Sequence, residues 1–498
     1  MTGVQTCALP ICRAEIVRQL AAAASKIGGG VTAIDDDALL DEVTALVERP
    51  NVLVCEFEKE YLDVPQECLI LTMKANQKYF PLLDAGGKLT NKFLVVSNIS
   101  PKDASFVIGG NERVVRPRLA DAKFFFDQDR KKTLQSRVEG LGKVVYHNKL
   151  GSQGERVERV RAIAKAIGQQ LGGDLLAAKA DQAAQLAKTD LVTDMVGEFP
   201  ELQGTMGRYY ALNDGLSADV ADAIEDHYKP RFAGDELPRN DVGVVVALAD
   251  KLETLVGMFG IGNLPTGDKD PFALRRHALG VVRMLVEKEL PFTLYDVVSI
   301  AVGAFPAGLI LEMIDGLPVS SRVNLFLEER ASGYLRDLSY TAQEASALFS
   351  IGMLPSVRLL PAQYFSRLDA IREAEMAFPA DFSALANADK RARNILIKSS
   401  GALSEVVNAD AKLMTEDAEK ALLNKTRAIR GEVDKLVNAG LFKDALMLTV
   451  QISKPVTEFF NSVMVNAEDE GVRQNRFRLL HEVTGLTNRV VDLSKLAT

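Results

Sequence analysis

The densest run of side chains that could bind an anion lies between Asn111 and Arg137. Basic residues in this run flank the triplet Phe124–Phe126 and are Arg113, Arg116, Arg118, Lys123, Arg130, Lys131, Lys132 and Arg137. Arginine makes bidentate contacts to phosphate, and exposed aromatic rings can stack on unpaired bases of RNA. Three aspartates between 121 and 129 dilute the positive field. For this segment alone, an amphipathic helix with a buried phenylalanine side is the simpler interpretation.

A second basic group lies just after a predicted helix start. Asp270 can cap the helix, and Pro271 suits the first helical position. Arg275 and Arg276 follow within one turn, where the helix N-terminus also favours an anion. Ion pairs with neighbouring carboxylates would explain the two arginines nearly as well.

A third group lies near the C-terminus, on a helix predicted to begin near Glu468. It comprises Arg473, Asn475 and Arg476. The two arginines share a helix face because they are three residues apart. A basic helix edge suits RNA contact, and the competing interpretation is an ordinary solvated face.

Motifs for other chemistries are missing. The chain has no G-x-x-x-x-G-K-[ST], G-x-S-x-G or H-E-x-x-H motif. Its four histidines are scattered, and none precedes an aspartate; they are His147, His227, His277 and His481. A metal-dependent phosphohydrolase of the His-Asp class needs several such ligands and an adjacent His-Asp pair. We therefore expect no catalytic residue and no metal site in this chain.

Composition indicates a multidomain globular protein. The chain has 498 residues, a formal charge of −8 and no apolar run long enough to cross a membrane. An acidic total does not exclude RNA, because a local basic face is enough for binding. Four cysteines without metal-ligand spacing predict a reduced, cytoplasmic protein. We expect no membrane and no DNA among its partners.

The first twelve residues, MTGVQTCALPIC, resemble translated sequencing adapter rather than a signal peptide. We expect residues 1–12 to be non-native and a longer natural sequence to precede Arg13. A natural disordered N-terminus is the alternative.

Hydrophobic periodicity predicts the elements that position the basic residues. Residues 51–58, 79–83 and 93–99 have strand patterns, with a hairpin turn at 84–88. After Gly110 the chain is almost wholly helical, and residues 381–498 form four or five amphipathic helices. Residues 291–317 are apolar and rich in glycine and proline, which indicates a connection between domains. The predicted fold class is mainly α with a small α+β N-terminal portion.

Several segments, in unbroken order, resemble the β subunit of bacterial glycyl-tRNA synthetase. They are residues 72–81 (TMKANQKYFP), 110–126 (GNERVVRPRLADAKFFF), 190–210, 229–235 (KPRFAGD), 249–251, 257–262, 267–276 (GDKDPFALRR), 459–466 (FFNSVMVN) and 473–476 (RQNR). The similarity runs from about Arg13 to Leu496. Ordered motifs over a whole chain are far more specific than any one of them.

The resemblance implies a domain organisation. Its parts are residues 13–105 as the remnant of an N-terminal α+β module, 106–290 as an HD-like helical domain, 291–380 as a helical linker region and 381–498 as a helical anticodon-binding-like domain. Thr189-Asp190 stands where the HD-like domain would have a His-Asp pair. The resemblance therefore implies a domain reused to hold RNA.

The same resemblance implies a function. Family members bind glycine tRNA and complete an α₂β₂ assembly, in which the α subunit activates glycine with ATP and Mg²⁺. No cofactor is then expected on this chain, and charge reversal at Arg473 and Arg476 should weaken tRNA binding. The alternatives are an HD-type metal-dependent phosphohydrolase and a noncatalytic helical scaffold.

Overall fold

The computed structural model describes residues 9–352, 357–399 and 408–497, and most of them are helical. The chain divides into two compact units. The first comprises Met1–Glu158 and Lys179–Tyr228, and the second comprises Arg159–Ala178 and Lys229–Thr498.

The first unit contains an antiparallel sheet with the strand order β1-β3-β4-β2. The strands of this unit are β1 (Thr32–Ala33), β2 (Asn51–Glu56), β3 (Phe80–Leu83), β4 (Leu89–Ser97), β5 (Val145–His147) and β6 (Gly151–Ser152), the last two forming a separate pair. The predicted hairpin turn joins β3 to β4, where Asp84 N–H donates to the Lys88 carbonyl at 2.8 Å. At the β2 edge, Val52 N–H donates to Gln19 Oε1 at 2.9 Å, which occupies part of an otherwise open edge.

The described part of the first unit contains nine α-helices, one of which is shared with the second unit. They are α1 (Leu9–Ile27), α2 (Asp37–Leu46), α3 (Gln66–Gln77), α4 (Ser105–Asp129), α5 (Leu134–Arg137), α6 (Gln153–Leu186), α7 (Asp194–Glu198), α8 (Thr205–Asn213) and α9 (Ala218–Asp226). Asp36 caps α2 by accepting from Leu39 N–H at 2.9 Å. Alternating strand residues and the apolar stripes of α1 and α2 form one core that includes Ile16, Leu39 and Phe80.

Helix α6 consists of two helical segments that meet at two glycines. Gly173 has φ of 67°, and Gly172 has φ of −146° with ψ of 20°, so neither is helical. A Cβ atom at Gly168 would lie 3.0 Å from the Ala177 Cα atom, so the chain reverses at this point. The two glycines therefore separate the two helical segments of α6.

The second unit contains the remaining helices and one short strand pair. They are α10 (Asp241–Gly260), α11 (Leu274–Glu287), α12 (Leu294–Gly303), β7 (Met313–Ile314), β8 (Leu317–Pro318), α13 (Val319–Asp337), α14 (Ala342–Gly352), α15 (Tyr364–Ala377), α16 (Pro379–Lys398), α17 (Asp417–Asn438), α18 (Phe442–Val450), α19 (Ser453–Ser462) and α20 (Glu470–Thr487). Helix α10 is buried on every side, from Val242 to Gly260. A continuous apolar core extends through α13–α20 and includes Leu348, Leu385, Phe459 and Leu480.

The predicted fold class is confirmed, and several element boundaries are corrected. Residues 291–317 contain a true helix, α12, whose Val297, Val298 and Ala301 are fully buried. Helix α4 begins at Ser105 rather than near 111, and α11 begins at Leu274 rather than at Pro271. The stretch resembling adapter falls partly outside the described residues, and its last four residues belong to α1.

Candidate nucleic-acid interface

Helix α4 carries the densest run of basic residues and presents its phenylalanine triplet on different sides. Phe126 is buried and stacks on Tyr210 with ring centroids 6.0 Å apart. Phe124, in contrast, is 58% exposed. The expected buried phenylalanine side is therefore only partly realised, and one aromatic ring remains available for stacking on a base.

Two cations of α4 converge on Asp127. Lys123 Nζ lies 3.1 Å and Arg130 Nη2 2.5 Å from the carboxylate, and Arg130 also lies 4.3 Å above the Phe126 ring. The hydrogen bond from Arg130 holds the pKa of Asp127 below its ordinary value, and Lys123 adds to this effect against a smaller opposing effect of burial. These two cations are largely neutralised locally.

Two further cations also have partners, while three do not. Arg116 pairs with Glu58 at 2.6 Å, and Lys131 Nζ donates to Gln128 Oε1 at 3.0 Å. The exposed cations without an ion pair or hydrogen bond to any described residue are Arg113, Arg118 and Lys132. These three are the members of the α4 group that could meet phosphate without first losing a partner.

Asp129 is buried, serves a structural purpose, and neutralises Arg137 of the basic run. Its carboxylate accepts hydrogen bonds from the N–H groups of Asp194 (2.9 Å) and Met195 (3.0 Å), the Tyr210 hydroxyl (2.8 Å) and Arg137 Nη2 (3.1 Å). Four donors on one carboxylate hold the end of α4 against the start of α7. Sequence spacing gave no sign of this arrangement.

At α11 the predicted anion position is already filled from within the chain. The Asp270 carboxylate accepts from Leu274 N–H at 2.8 Å and from Arg275 N–H at 3.0 Å. An external phosphate would have to displace this carboxylate from the helix N-terminus. Arg275 Nη2 donates to the Gly267 carbonyl at 2.6 Å, whereas Arg276 is exposed and makes no contact with a described partner.

Asn475 of α20 is a buried structural residue. Its side chain is 1% exposed, and its amide oxygen accepts from Asp410 N–H at 2.7 Å. Its amide nitrogen donates to the Asp410 carbonyl at 2.9 Å. The Asp410 carbonyl also accepts from Leu413 N–H at 3.1 Å, so Asn475 supplies the partner of Asp410 N–H and a second donor to its carbonyl.

Arg476 is likewise buried and fully engaged inside the domain. Its guanidinium donates to Glu419 Oε1 at 2.6 Å, to the Met464 carbonyl at 2.7 Å and to Thr415 Oγ1 at 3.1 Å. Burial alone would raise the pKa of Glu419, but the hydrogen bond from Arg476 and the N–H groups at the start of α17 together lower it. Arg476 thus ties α20 to the start of α17.

Arg473, the third member of the α20 group, lies closer to the surface. It pairs with Glu470 one turn earlier and donates through Nη1 to the Ala467 carbonyl at 2.9 Å. A phosphate contact from Arg473 would require this local pair to open.

Helix α16 carries a cationic surface that was not predicted from the sequence. We call it the α16 face; it surrounds a shallow groove of about 430 Å³ lined by Asn387, Lys390, Arg391, Asn394, Ile395 and Lys398. Its signal in the sequence was the cluster Lys390–Arg391–Arg393, followed by Lys398 two turns later. Helical spacing brings the members at 387, 390, 391, 394 and 398 to one side.

The positions relevant to metal chemistry are dispersed. The four histidines lie on β5, after α9, on α11 and on α20. Among the described residues, no group of three or more His, Cys, Asp or Glu side chains could hold a metal ion. Asp190 is fully buried, and burial raises its pKa to about 6 even though Gly204 N–H donates to it at 2.5 Å.

No helix in the described ranges is long and apolar enough to span a membrane.

Comparison with known proteins connects these surfaces to a family. The profile of the glycyl-tRNA synthetase beta subunit matches residues 9–350, and that of the DALR anticodon binding domain matches residues 385–493. The chain is 64% identical over 486 residues to the glycine–tRNA ligase beta subunit of Delftia acidovorans, covering 97% of this chain and 67% of that protein. The corresponding subunit of Paracidovorax citrulli is 65% identical over 485 residues, covering 97% and 66%.

A third relative, from Polaromonas naphthalenivorans, is 63% identical over 489 residues, again covering 97% of this chain and 66% of the relative. The chain therefore spans about two thirds of the length of these curated relatives. The order of matched segments agrees with the order of the motifs singled out in the sequence. The chain belongs to the glycyl-tRNA synthetase beta subunit family.

Proposed function

We propose that this chain is the tRNA-holding part of a two-subunit glycine–tRNA ligase. The single observation that supports this most strongly is the anticodon-binding profile over residues 385–493, in a chain that matches the beta subunit from residue 9 to 350. The substrate is glycine tRNA. The chain binds the RNA and orients it. Holding reactants in position lowers the entropic part of the activation barrier.

The partner is the α subunit, and the assembly is α₂β₂. Glycine activation with ATP and Mg²⁺ belongs to the α subunit, and this chain itself binds no cofactor and contributes no catalytic residue. The setting is the cytoplasm, without membrane or DNA. The relatives are named beta subunits, which supports the existence of a second, different subunit as the partner.

Within this function we propose the domain division that the family resemblance implies. Residues 13–105, 106–290, 291–380 and 381–498 are the N-terminal remnant, the HD-like domain, the linker region and the anticodon-binding-like domain. The last boundary is supported by the profile that starts at residue 385.

Phosphate contacts come first from the cations that have no internal partner. In the groups singled out from the sequence these are Arg113, Arg118, Lys132 and Arg276. The paired members Arg116, Lys123, Arg130, Lys131, Arg275 and Arg473 would contact RNA only after exchanging a carboxylate, amide or carbonyl for phosphate. Asn475 and Arg476 act by holding α20 in place.

The test is glycylation of glycine tRNA by purified α subunit, alone, with this chain, or with a full-length beta subunit that contains this sequence. We expect no glycylation by α alone and robust glycylation with the full-length protein. Direct binding of glycine tRNA to this chain should be detectable and should weaken steeply with salt. A full-length protein that neither binds tRNA nor supports glycylation would favour a helical scaffold and contradict the proposal.

A further inference from the structure

We infer that the α16 face binds the sugar–phosphate backbone of the single-stranded anticodon loop of a tRNA. This deepens the proposed function and rests on it, because it names the surface of the anticodon-binding domain that meets the RNA. The face lies on α16 and is formed by Asn387, Lys390, Arg391, Asn394 and Lys398.

The lysines of the α16 face have no partner within the part of the chain that the structure describes. Lys390 and Lys398 are exposed, and neither makes an ion pair or hydrogen bond with any described residue. The two lysines lie eight residues apart, about 12 Å along the helix axis, so their mutual repulsion is largely screened at physiological salt. Each can therefore meet one of the closely spaced phosphates of RNA without first losing a partner among the described residues.

The acidic residues of α16 are directed away from this face. Asp389 is 1% exposed and accepts hydrogen bonds from Thr487 and Asn488. Asp381 accepts from the Ser453 hydroxyl at 2.7 Å. The positive field of the lysines therefore meets no carboxylate from its own helix on the exposed side.

The opposite side of α16 is anchored, so the lysines are presented on a rigid support. Arg393 bridges two buried carboxylates, lying 3.5 Å from Asp389 and 3.0 Å from Asp492. This network joins α16 to the turn that follows α20. A surface fixed in this way loses little conformational entropy when it binds.

Arg391 supplies a pre-oriented guanidinium beside the lysines. Its central carbon lies 4.4 Å from the centroid of the Phe460 ring, and Phe460 is 8% exposed and held in the core. Stacking on an aromatic ring leaves the in-plane N–H donors of a guanidinium able to bind phosphate bidentately. Arg391 makes no hydrogen bond to another described residue that would use those donors.

Asn394 adds a group that can recognise bases. It is exposed between the lysines and makes no hydrogen bond to a described residue. An amide carries both a donor and an acceptor for the edges of splayed-out bases. A combination of phosphate-binding cations and a free amide fits an RNA loop better than an acidic protein segment, which offers no base edges.

The test uses this chain and a fluorescently labelled stem–loop RNA with the anticodon of glycine tRNA. Binding is measured by anisotropy from about 50 to about 200 mM KCl. The variant is Lys390→Gln/Lys398→Gln. The matched control is Lys420→Gln/Lys435→Gln, which removes the same charge from α17, where Asp417 and Glu432 pair with these lysines at 3.4 and 3.2 Å.

We expect the α16 variant to bind about tenfold more weakly and to lose about 1.4 from the slope of log affinity against log salt, since single strands contribute about 0.7 per charge. The Lys390→Gln/Lys398→Gln substitutions should weaken binding of a loop with a changed anticodon by the same factor as binding of the glycine loop. Phosphate contacts are independent of base sequence. The control variant should bind almost as the unmodified chain does.

Equal binding by the unmodified chain and both variants would overturn the inference and leave the proposed function standing. No binding of the stem–loop to the unmodified chain would overturn the inference together with RNA binding by this domain. A polyglutamate peptide serves as a second ligand. If the Lys390→Gln/Lys398→Gln variant lost binding to this peptide but bound the RNA as the unmodified chain does, the face would be assigned to an acidic protein partner and the inference would be overturned.

Discussion

The α16 face and the α20 group are both rich in cations and amides, but the structure uses them in opposite ways. Arg476 and Asn475 of α20 are buried and bonded to α17, to Met464 and to Asp410. Lys390 and Lys398 of α16 are exposed and have no described partner. A basic residue whose partners lie inside the domain stabilises the fold, while one without partners is available to an external anion.

The first way to break this comparison is Arg476→Met, for which we expect the largest effect. It leaves Glu419 buried without its cation, and breaking such a pair costs about 3–5 kcal/mol. Hydrogen exchange of α17 and α20, combined with urea unfolding, measures the loss. The double variant Arg476→Met/Glu419→Met should recover much of it, and a single variant as stable as the unmodified chain would refute the structural assignment.

The second test compares the pH dependence of the two buried networks. Burial raises the pKa of Asp389 to about 6 despite the hydrogen bond from Thr487. Between about pH 4 and pH 6 the unfolded carboxyl is ionised while the folded one keeps its proton, so stability falls as pH rises through this window. The pKa of Glu419 is lowered instead. Its carboxylate therefore stabilises the fold at pH values above the ordinary glutamate pKa, and this stabilisation is lost as pH falls.

Asp389→Asn should therefore gain stability relative to the unmodified chain as pH rises from about 4 to about 6, by on the order of 2 kcal/mol. Glu419→Gln should show the opposite trend, because its loss is largest at neutral pH. Urea unfolding at a series of pH values measures both. Parallel curves for Asp389→Asn and the unmodified chain would contradict the assignment of a raised pKa.

The third test is Asn475→Ala, for which we expect a loss of about 1 kcal/mol, because the Asp410 N–H loses its partner while the Asp410 carbonyl keeps the hydrogen bond from Leu413 N–H. Hydrogen exchange at residues 408–413 should rise more than in α18. Unchanged protection at Asp410 would show that the amide is not needed there.

The smallest effect on stability is expected at the α16 face itself. Lys390→Gln/Lys398→Gln should change the unfolding free energy by no more than about 0.5 kcal/mol, since surface positions without partners contribute little. A loss of more than about 1 kcal/mol in urea unfolding would indicate that these lysines belong to the fold, as Arg476 does.

Local patterns were sufficient for most helices and for the β3–β4 hairpin. The non-helical Gly172 and Gly173 separate the two segments of α6. Helix α12 was missed because its apolar residues do not leave a clear polar side, and glycine and proline follow it. Burial in a large unit overrode the local signal there.

The sites were harder to predict because pairing is a long-range property. Glu419 is 57 residues from Arg476, and Asp492 is far from Arg393, so no local spacing could show which cations were neutralised. At α11, the Asp270 side chain was correctly predicted as a cap, but that same contact fills the position proposed for an external anion. Charge density along the sequence identifies candidates, and only the tertiary contacts separate paired cations from free ones.

The most direct test of the whole account is steady-state glycylation by α subunit with full-length beta subunit carrying the Lys390→Gln and Lys398→Gln changes. The KM for glycine tRNA should rise about tenfold while the KM values for glycine and ATP stay unchanged, because the proposed function assigns only the binding of RNA to this chain. Loss of glycine activation in the variant, or an unchanged KM for tRNA together with raised KM values for glycine and ATP, would contradict the account.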